Sequence, residues 1–361
     1  MVHNQDNTFD RQKRKNTDDA KIMADYYSYV VTQDEVGTRL DRFIADKEDE
    51  LSRSFVQKLI SEGYVTVGDL TIKPSYNVRV GDVVKIRLPE PHSDAGPRAE
   101  NIPLDIIFED DDLVVVNKPS GMVVHPAAGV RSGTLVNAVL AHVQDARHET
   151  PDGKSEVSSL KSQVLSLGSV APERPGIVHR IDKGTSGLIV VAKTVRAYYK
   201  LADQFKEHSV KRKYVALICG EPGQISGTIV APIGRSRRDR KKMTVTSVHS
   251  REAITHFSVI ERYGGFSLVE IEPETGRTHQ IRVHLAHIGY PVVGDPTYSG
   301  RDRALKSAVS QIVRAALQKL SRQALHAQLL GFIHPSTGEY IEFSAPIPED
   351  IQNVIDALRN K

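Results

Sequence analysis

Between Pro175 and Lys193 the chain sets an imidazole, a guanidinium, a carboxylate and an ammonium within five residues: His179, Arg180, Asp182 and Lys183. Ile177 and Val178 lead into this polar turn, and Leu188 to Ala192 lead out as a short apolar run rich in β-branched residues. Gly184 and Gly187 allow the backbone to turn tightly. A strand end that presents Asp182 on a loop is a common way to build a reactive carboxylate. Such a group can act as a nucleophile or as a base.

A second concentration of chemistry lies at Arg235-Ser236-Arg237-Arg238-Asp239-Arg240-Lys241-Lys242, where six of the seven charged residues are basic. It reads as a phosphate-contacting loop, with Arg235, Arg240, Lys241 and Lys242 as its candidate contacts. A third group, His279, His284 and His287 with Asp295 nearby, has residue types that bind metal. The H-E-x-x-H pairing of zinc helices is absent. His179-Arg180-Ile181-Asp182 differs from the kinase H-R-D by one extra residue, and neither D-F-G, a P-loop nor G-x-S-x-G occurs. A non-catalytic RNA-binding protein and a metal-dependent RNA hydrolase are therefore the alternatives to a carboxylate enzyme.

The chain has 361 residues, 39% of them hydrophobic and 26% charged, which suits a soluble protein of two or three domains. A net charge of +3 is compatible with nucleic acid without demanding it. Cys219 is the only cysteine, so internal disulfides and multi-cysteine zinc sites are excluded. No apolar run approaches the roughly 20 residues of a membrane span, and the N-terminus carries no apolar signal segment. A cytoplasmic protein without an obligate protein partner is expected.

The elements that must position these groups can be followed in order. Residues 1–25 are polar and read as a disordered tail. Residues 33–91 form a compact α-α-β-β unit. Leu40, Phe43 and Ile44 share a helical face opposite Arg39, Asp41 and Arg42. Ser52 is placed to cap a second helix carrying Val56, Leu59 and Ile60. Strand-like runs follow at 65–67 and 83–86. Residues 92–101 read as a linker. From Ile102 to Lys361 strands and helices mix. Leu113 to Val116 is a buried strand, and Thr134 to His142 a helix. Residues 144–173 form a polar loop or insertion. Further readings are a helix over 195–208, a strand over 211–218 and a hairpin turned at Gly264-Gly265. A helix-like insertion over 305–320, closing strands and a last helix near 348–358 complete the chain.

Several of these stretches carry a family resemblance. Lys118-Pro119-Ser120-Gly121 with His125-Pro126, the stretch around His179-Arg180-Ile181-Asp182, and Gly276-Arg277-Thr278-His279-Gln280-Ile281-Arg282 resemble the motifs of RluA-type RNA pseudouridine synthases, in order. Ile181 stands where leucine is common, a near volume-conserving change. Arg39-Leu40-Asp41-Arg42-Phe43 and Ser52 to Ile60 resemble the S4 RNA-binding domain. The resemblance covers roughly residues 33–347 and is closest to the RluD-like branch, whose S4-bearing members act on 23S ribosomal RNA.

The resemblance implies an α+β fold: a mixed, largely antiparallel bent sheet flanked by helices and loops, preceded by a small S4-like module. It implies conversion of uridine to pseudouridine in structured RNA without metal or organic cofactor. The C1′–N1 bond breaks, the uracil rotates, and C5 bonds to C1′. By resemblance Asp182 is the carboxylate of this reaction. A carboxylate in a partly dry pocket tends to take up a proton unless a guanidinium stands beside it, and Arg282 is the matching arginine. Tyr214 matches the residue that stacks on the base and is also a candidate for moving the C5 proton. Arg180 is placed to fill the gap left by the flipped uridine or to bind a flanking phosphate. Arg39, Arg42, Arg53 and Lys58 are the candidate RNA contacts of the S4-like module.

Overall fold

The computed structural model describes residues 26–47, 53–68, 70–87, 96–126, 129–145, 174–239, 242–308 and 310–360. The expected tail, the Ser52 cap, the start of the linker, most of the 144–173 segment, Arg240 and Lys241 lie outside them.

The first unit opens on a strand that the sequence reading assigned to no element, β1 (Tyr26–Val30). Helices α1 (Leu40–Lys47) and α2 (Arg53–Ser61) follow, then β2 (Val65–Val67), β3 (Leu70–Thr71) and β4 (Val83–Arg87). The antiparallel sheet runs β1-β4-β2-β3, with β1 at one edge. Leu40, Phe43 and Ile44 bury one face of α1 against Val56, Leu59 and the inward residues of β2 and β4. Full burial of such side chains stabilises by about 1.5–3 kcal/mol each.

Asp41 departs from the expected polar face, because it is fully buried. Arg39, Arg53 and Gln57 all donate to its carboxylate, at 3.0 to 3.1, 3.1 and 2.6 Å. Burial raises the Asp41 pKa, but these three donors outweigh it and hold the group well below the usual carboxylate range.

The larger unit is built on β5 (Ile106–Glu109), β6 (Leu113–Lys118), α3 (Leu135–Asp145), β7 (Ser186–Ala192), α4 (Val195–Lys206) and β8 (Lys211–Cys219). Next come β9 (Ser226–Val230), the short strands β10 (Ile233–Arg235), β11 (Met243–Val245) and β12 (Ser250–Arg251), and the hairpin β13 (Ile254–Arg262) and β14 (Phe266–Pro273). The chain closes with α5 (Gln280–His287), α6 (Gly300–Ser307), α7 (Gln311–Lys319), β15 (Leu325–Ile333), β16 (Tyr340–Ser344) and α8 (Glu349–Arg359). The expected 305–320 segment is thus divided between two helices.

The main sheet runs β5-β6-β7-β15-β8-β14-β13-β9, with β16 also paired to β15. Among the described strands of this sheet β7 and β15 pair parallel and their neighbours antiparallel. This is the expected mixed, largely antiparallel sheet. All seven residues of β7 are buried, which suits a central strand covered on both faces. One face packs on a core that includes Leu135, Leu217, Leu285 and Val354, and the other on α4 through Leu201. Tyr199 of α4 packs against the core of the first unit, so the two units touch. Among the described residues no helix is long and apolar enough to cross a membrane.

The central turn enters β7 differently from the expectation. Ile177 makes a single antiparallel bridge to Val191 and no strand. Gly184 does not need a left-handed backbone; a Cβ there would stand 2.4 Å from Gln323 Oε1. At Gly187, φ is +114° and a Cβ would meet the Ala327 carbonyl oxygen at 2.2 Å. Gly184 admits the close approach of Gln323, just before β15, and Gly187 that of Ala327 within it.

Candidate active site

The parallel pair β7–β15 and the start of α5 meet at a cleft of about 530 Å3, its open mouth included, lined by Arg180, Asp182, Arg212, Tyr214, His279 and Arg282 among others.

Asp182 sits on a turn held from three sides. Its carbonyl accepts from Thr185 N–H at 3.0 Å, and the Lys183 carbonyl accepts from Gly121 N–H at 2.7 Å. On the third side, Gln323 Nε2 donates to Thr185 Oγ1 at 3.2 Å, and Arg322 Nη1 reaches the Gly184 carbonyl at 3.4 Å. Arg322 is itself fixed by Asp350 of α8, through Nε at 2.6 Å and Nη2 at 2.7 Å.

Arg282 comes from α5, whose first turn is pinned by buried Gln280. The Gln280 amide donates to Ile254 O at 2.9 Å and accepts from Arg277 N–H at 2.9 Å. Arg282 Nη1 donates to Asp182 Oδ2 at 2.9 Å across a separation of 100 residues. Its Nε and Nη2 donate to the two oxygens of fully buried Asp295, at 2.7 and 2.9 Å. Burial disfavours the charge on Arg282, but Asp295 and then Asp182 more than offset it and raise its pKa.

Tyr214 of β8 lines the same cleft and is almost fully buried. Burial raises its pKa, Arg212 pulls it down and Asp182 pushes it up. The structure therefore brings together Asp182, Tyr214 and Arg282, with exposed Arg180 at the rim.

The remaining basic candidates lie elsewhere. Arg235 lines a second hollow on the β10–β11 loop, where Arg235, Arg237 and Arg238 are exposed. Lys242 stands 3.9 Å from Asp239. In the first unit Arg39 and Arg53 are tied to Asp41, Arg42 to Asp46 at 3.5 Å, and Lys58 to Glu62 at 4.0 Å. Each keeps a solvent-exposed portion of 44% or more of its side chain, so a phosphate can still approach.

The sequence reading assigned no role to two basic side chains that the structure places at or near the cleft. Lys118 is fully buried at the end of β6, and its ammonium donates to Pro119 O at 2.7 Å and Met122 O at 2.9 Å. Burial, reinforced by the charge of Arg322, depresses its pKa to about 7, against an opposing pull from Asp182. Arg212 lies two residues before Tyr214 on the same strand face. Its Nη2 donates to Pro273 O and Glu274 O, while its buried Nε has no partner among the described residues.

His179 has a packing role. Its Nε2 accepts from Val190 N–H at 3.0 Å and its ring stacks on Phe205 at 4.4 Å. Burial, with help from Arg212, lowers its pKa to about 3, so it is neutral near pH 7.

The histidines considered as metal ligands do not converge. His284 has both ring nitrogens engaged, by Thr255 Oγ1 and the Ala231 carbonyl, at 2.9 Å each. His287 is exposed, and Asp295 is occupied by Arg282. Among the described residues no three His, Cys, Asp or Glu side chains stand close enough to hold a metal ion.

A mixed sheet with an arginine-held carboxylate and a buried tyrosine in one cleft, preceded by a small α/β module, is the arrangement that the motif resemblance implies. The sequence model described as RNA pseudouridylate synthase matches residues 112–287, and that of the S4 domain matches 38–84. An uncharacterized RNA pseudouridine synthase of Bacillus subtilis, YlyB, is 44% identical over 91% of this chain and 96% of its own length. The ribosomal large subunit pseudouridine synthase D of Zymomonas mobilis is 43% identical over 91% of this chain and 96% of its own. The solved structure of human RNA pseudouridylate synthase domain containing 4 has a TM-score of 0.50 at 24% identity. It covers 70% of this chain and 92% of that one, a likeness of fold. The chain belongs to the RNA pseudouridine synthase family, with an S4 RNA-binding domain in front.

Proposed function

We propose that this enzyme isomerises specific uridines of large-subunit ribosomal RNA in the cytoplasm, with Asp182 as the reacting carboxylate. The observation that carries the reading is Asp182 held at 2.9 Å by Arg282 in the cleft that also contains Tyr214. The relatives named as large-subunit synthases support the ribosomal substrate.

The target uridine enters the cleft flipped out of its stack. Flipping costs a few kcal/mol and is cheapest in loops and bulges. Tyr214 stacks on the uracil, and Arg180 fills the space it leaves or binds a neighbouring phosphate. Asp182 forms a bond to C1′ as C1′–N1 breaks, or takes a sugar proton to give a glycal. In either path the bonding pair of the broken bond leaves on uracil N1. The base then rotates and C5 bonds to C1′ as the Asp182–C1′ bond breaks, or as Asp182 returns its proton to the glycal. C5 then loses its proton and N1 gains one, a transfer for which the Tyr214 phenol is the candidate relay. No step calls for a metal or an organic cofactor.

Arg39, Arg42, Arg53 and Lys58 of the S4 domain and Arg235, Arg240, Lys241 and Lys242 of the basic loop are the candidate phosphate contacts. Such contacts position the RNA without reading its bases. Mapping pseudouridines in total RNA from cells with and without this protein tests the reading. Loss of one or a few sites in large-subunit ribosomal RNA is expected. An unchanged map of that RNA, or losses confined to transfer RNA, contradicts the ribosomal assignment.

A further inference from the structure

His279 stands in the cleft wall beside Asp182 and has no part in the scheme above. Its backbone is left-handed, with φ at 57°, in a residue that carries a side chain. Such strain costs on the order of 1–3 kcal/mol and persists where the surroundings enforce it. Here the ring is held by Tyr298: its Nδ1 lies 2.9 Å from Tyr298 Oη, and the two rings meet edge to face at 84°. Tyr298 is in turn fixed. Its backbone N–H donates to Asp295 at 3.2 Å, and its own ring lies under the Arg282 guanidinium at 5.1 Å.

The tautomer follows from the hydrogen-bond chain. Tyr298 Oη accepts from Met243 N–H at 3.0 Å. A phenol has one proton, and the one further polar atom within reach of Oη among the described residues is His279 Nδ1. Tyr298 therefore donates to Nδ1. Burial of the ring lowers the His279 pKa, so the imidazole is neutral near pH 7 and its proton sits on Nε2. No described residue pairs with Nε2, which lies on the ring edge away from Tyr298. Besides the unpartnered Nε–H of Arg212, the cleft thus holds an imidazole N–H donor near Asp182 that no described residue uses.

The neighbours of this donor indicate what it meets. The charges acting on His279 are those of Asp182, Arg282, Asp295 and Arg180, whereas Tyr214 responds to Arg212 and Asp182. Both side chains feel the charge of Asp182, so His279 and the tyrosine assigned to the base border the same carboxylate. Resting on the pseudouridine synthase reading, we propose that His279 contacts the substrate directly, its Nε2–H donating a hydrogen bond to an acceptor oxygen of the flipped uridine next to Asp182. Tyr298 is the positioning residue that fixes the tautomer, and Met243, directly after the basic loop, ties that loop to the cleft.

The test is single-turnover pseudouridine formation on an unmodified large-subunit ribosomal RNA transcript, with RNA affinity measured alongside. Asparagine accepts left-handed backbone and can still receive the Tyr298 proton, but it is too short to supply the Nε2 donor. Glutamine carries an amide N–H near the place of Nε2. His279→Asn is expected to slow the chemical step by about tenfold or more, with RNA affinity within about twofold, and His279→Gln to stay within about threefold of the natural enzyme. If His279→Asn does not fold, His279→Gln against His279→Met makes the same comparison at equal side-chain length, with Gln expected about tenfold faster. Equal rates across the compared variants overturn the inference. An inactive natural enzyme on that transcript instead contradicts the function proposed above, so the two failures are distinguishable.

Discussion

Arg282 binds Asp295 more completely than it binds Asp182. Two of its nitrogens meet both oxygens of Asp295, at 2.7 and 2.9 Å, and only Nη1 reaches Asp182. Asp295 thus anchors the guanidinium independently of Asp182. In the role proposed for it, Asp182 can give up its contact without releasing the arginine.

Asp295→Asn is therefore expected to impair catalysis although Asp295 lies outside the reacting set. Removing one partner of a buried ion pair costs about 3–5 kcal/mol, and here part of that loss appears as a displaced Arg282. The rate constant for pseudouridine formation should fall at least about tenfold while RNA affinity changes by less than about threefold. Single-turnover kinetics with a filter-binding control measures both. An unchanged rate would show that Arg282 needs no anchor.

The second expectation concerns pH. The pKa of Lys118 falls from the model-compound value of 10.5 to about 7 in the folded protein. Between these limits the unfolded chain binds the extra proton, so wild-type stability rises with pH across that window. The cost of the buried lysine is full below about pH 7 and fades toward 10.5. Lys118→Met removes the titration. Urea unfolding at pH 7, 8 and 9 should show wild type gaining on the variant by up to about 1.4 kcal/mol per pH unit. A pH-independent difference argues that Lys118 is not titrating there.

A third expectation follows from the link between the last helix and the reactive turn. Asp350 holds Arg322, and Arg322 reaches the carbonyl of Gly184, two residues after Asp182. Asp350→Asn should lower the single-turnover rate by roughly threefold to tenfold, with melting temperature reduced by a few degrees. Loss of melting temperature with no change in rate would confine Asp350 to packing.

Much of this architecture was legible in the sequence, for identifiable reasons. The apolar run 113–116, the alternation of β13 and β14, and the spacing of Ala197, Leu201 and Phe205 are local patterns, and each formed the expected element. The motif resemblance pointed to Asp182, Tyr214 and Arg282, which the fold places around one cleft. What escaped notice depends on contacts between distant segments. Tyr26–Val30 becomes a strand only because β4 offers it an edge. Asp41 sits among arginines in a helix that looks polar there, and its burial becomes visible only when Arg53 and Gln57 arrive from α2. Lys118, with an ordinary place at a strand end, is buried by a turn whose carbonyls point back at it. Asp295 was considered only as a metal ligand, and nothing within its own segment indicates that Arg282 claims it.

The most direct test of the account is Asp182→Ala in a single-turnover assay on a ribosomal RNA transcript that the natural enzyme converts. The expected result is RNA bound within about threefold of the natural affinity and no detectable pseudouridine. Conversion at the natural rate by that variant would contradict the assignment of Asp182 as the reacting carboxylate.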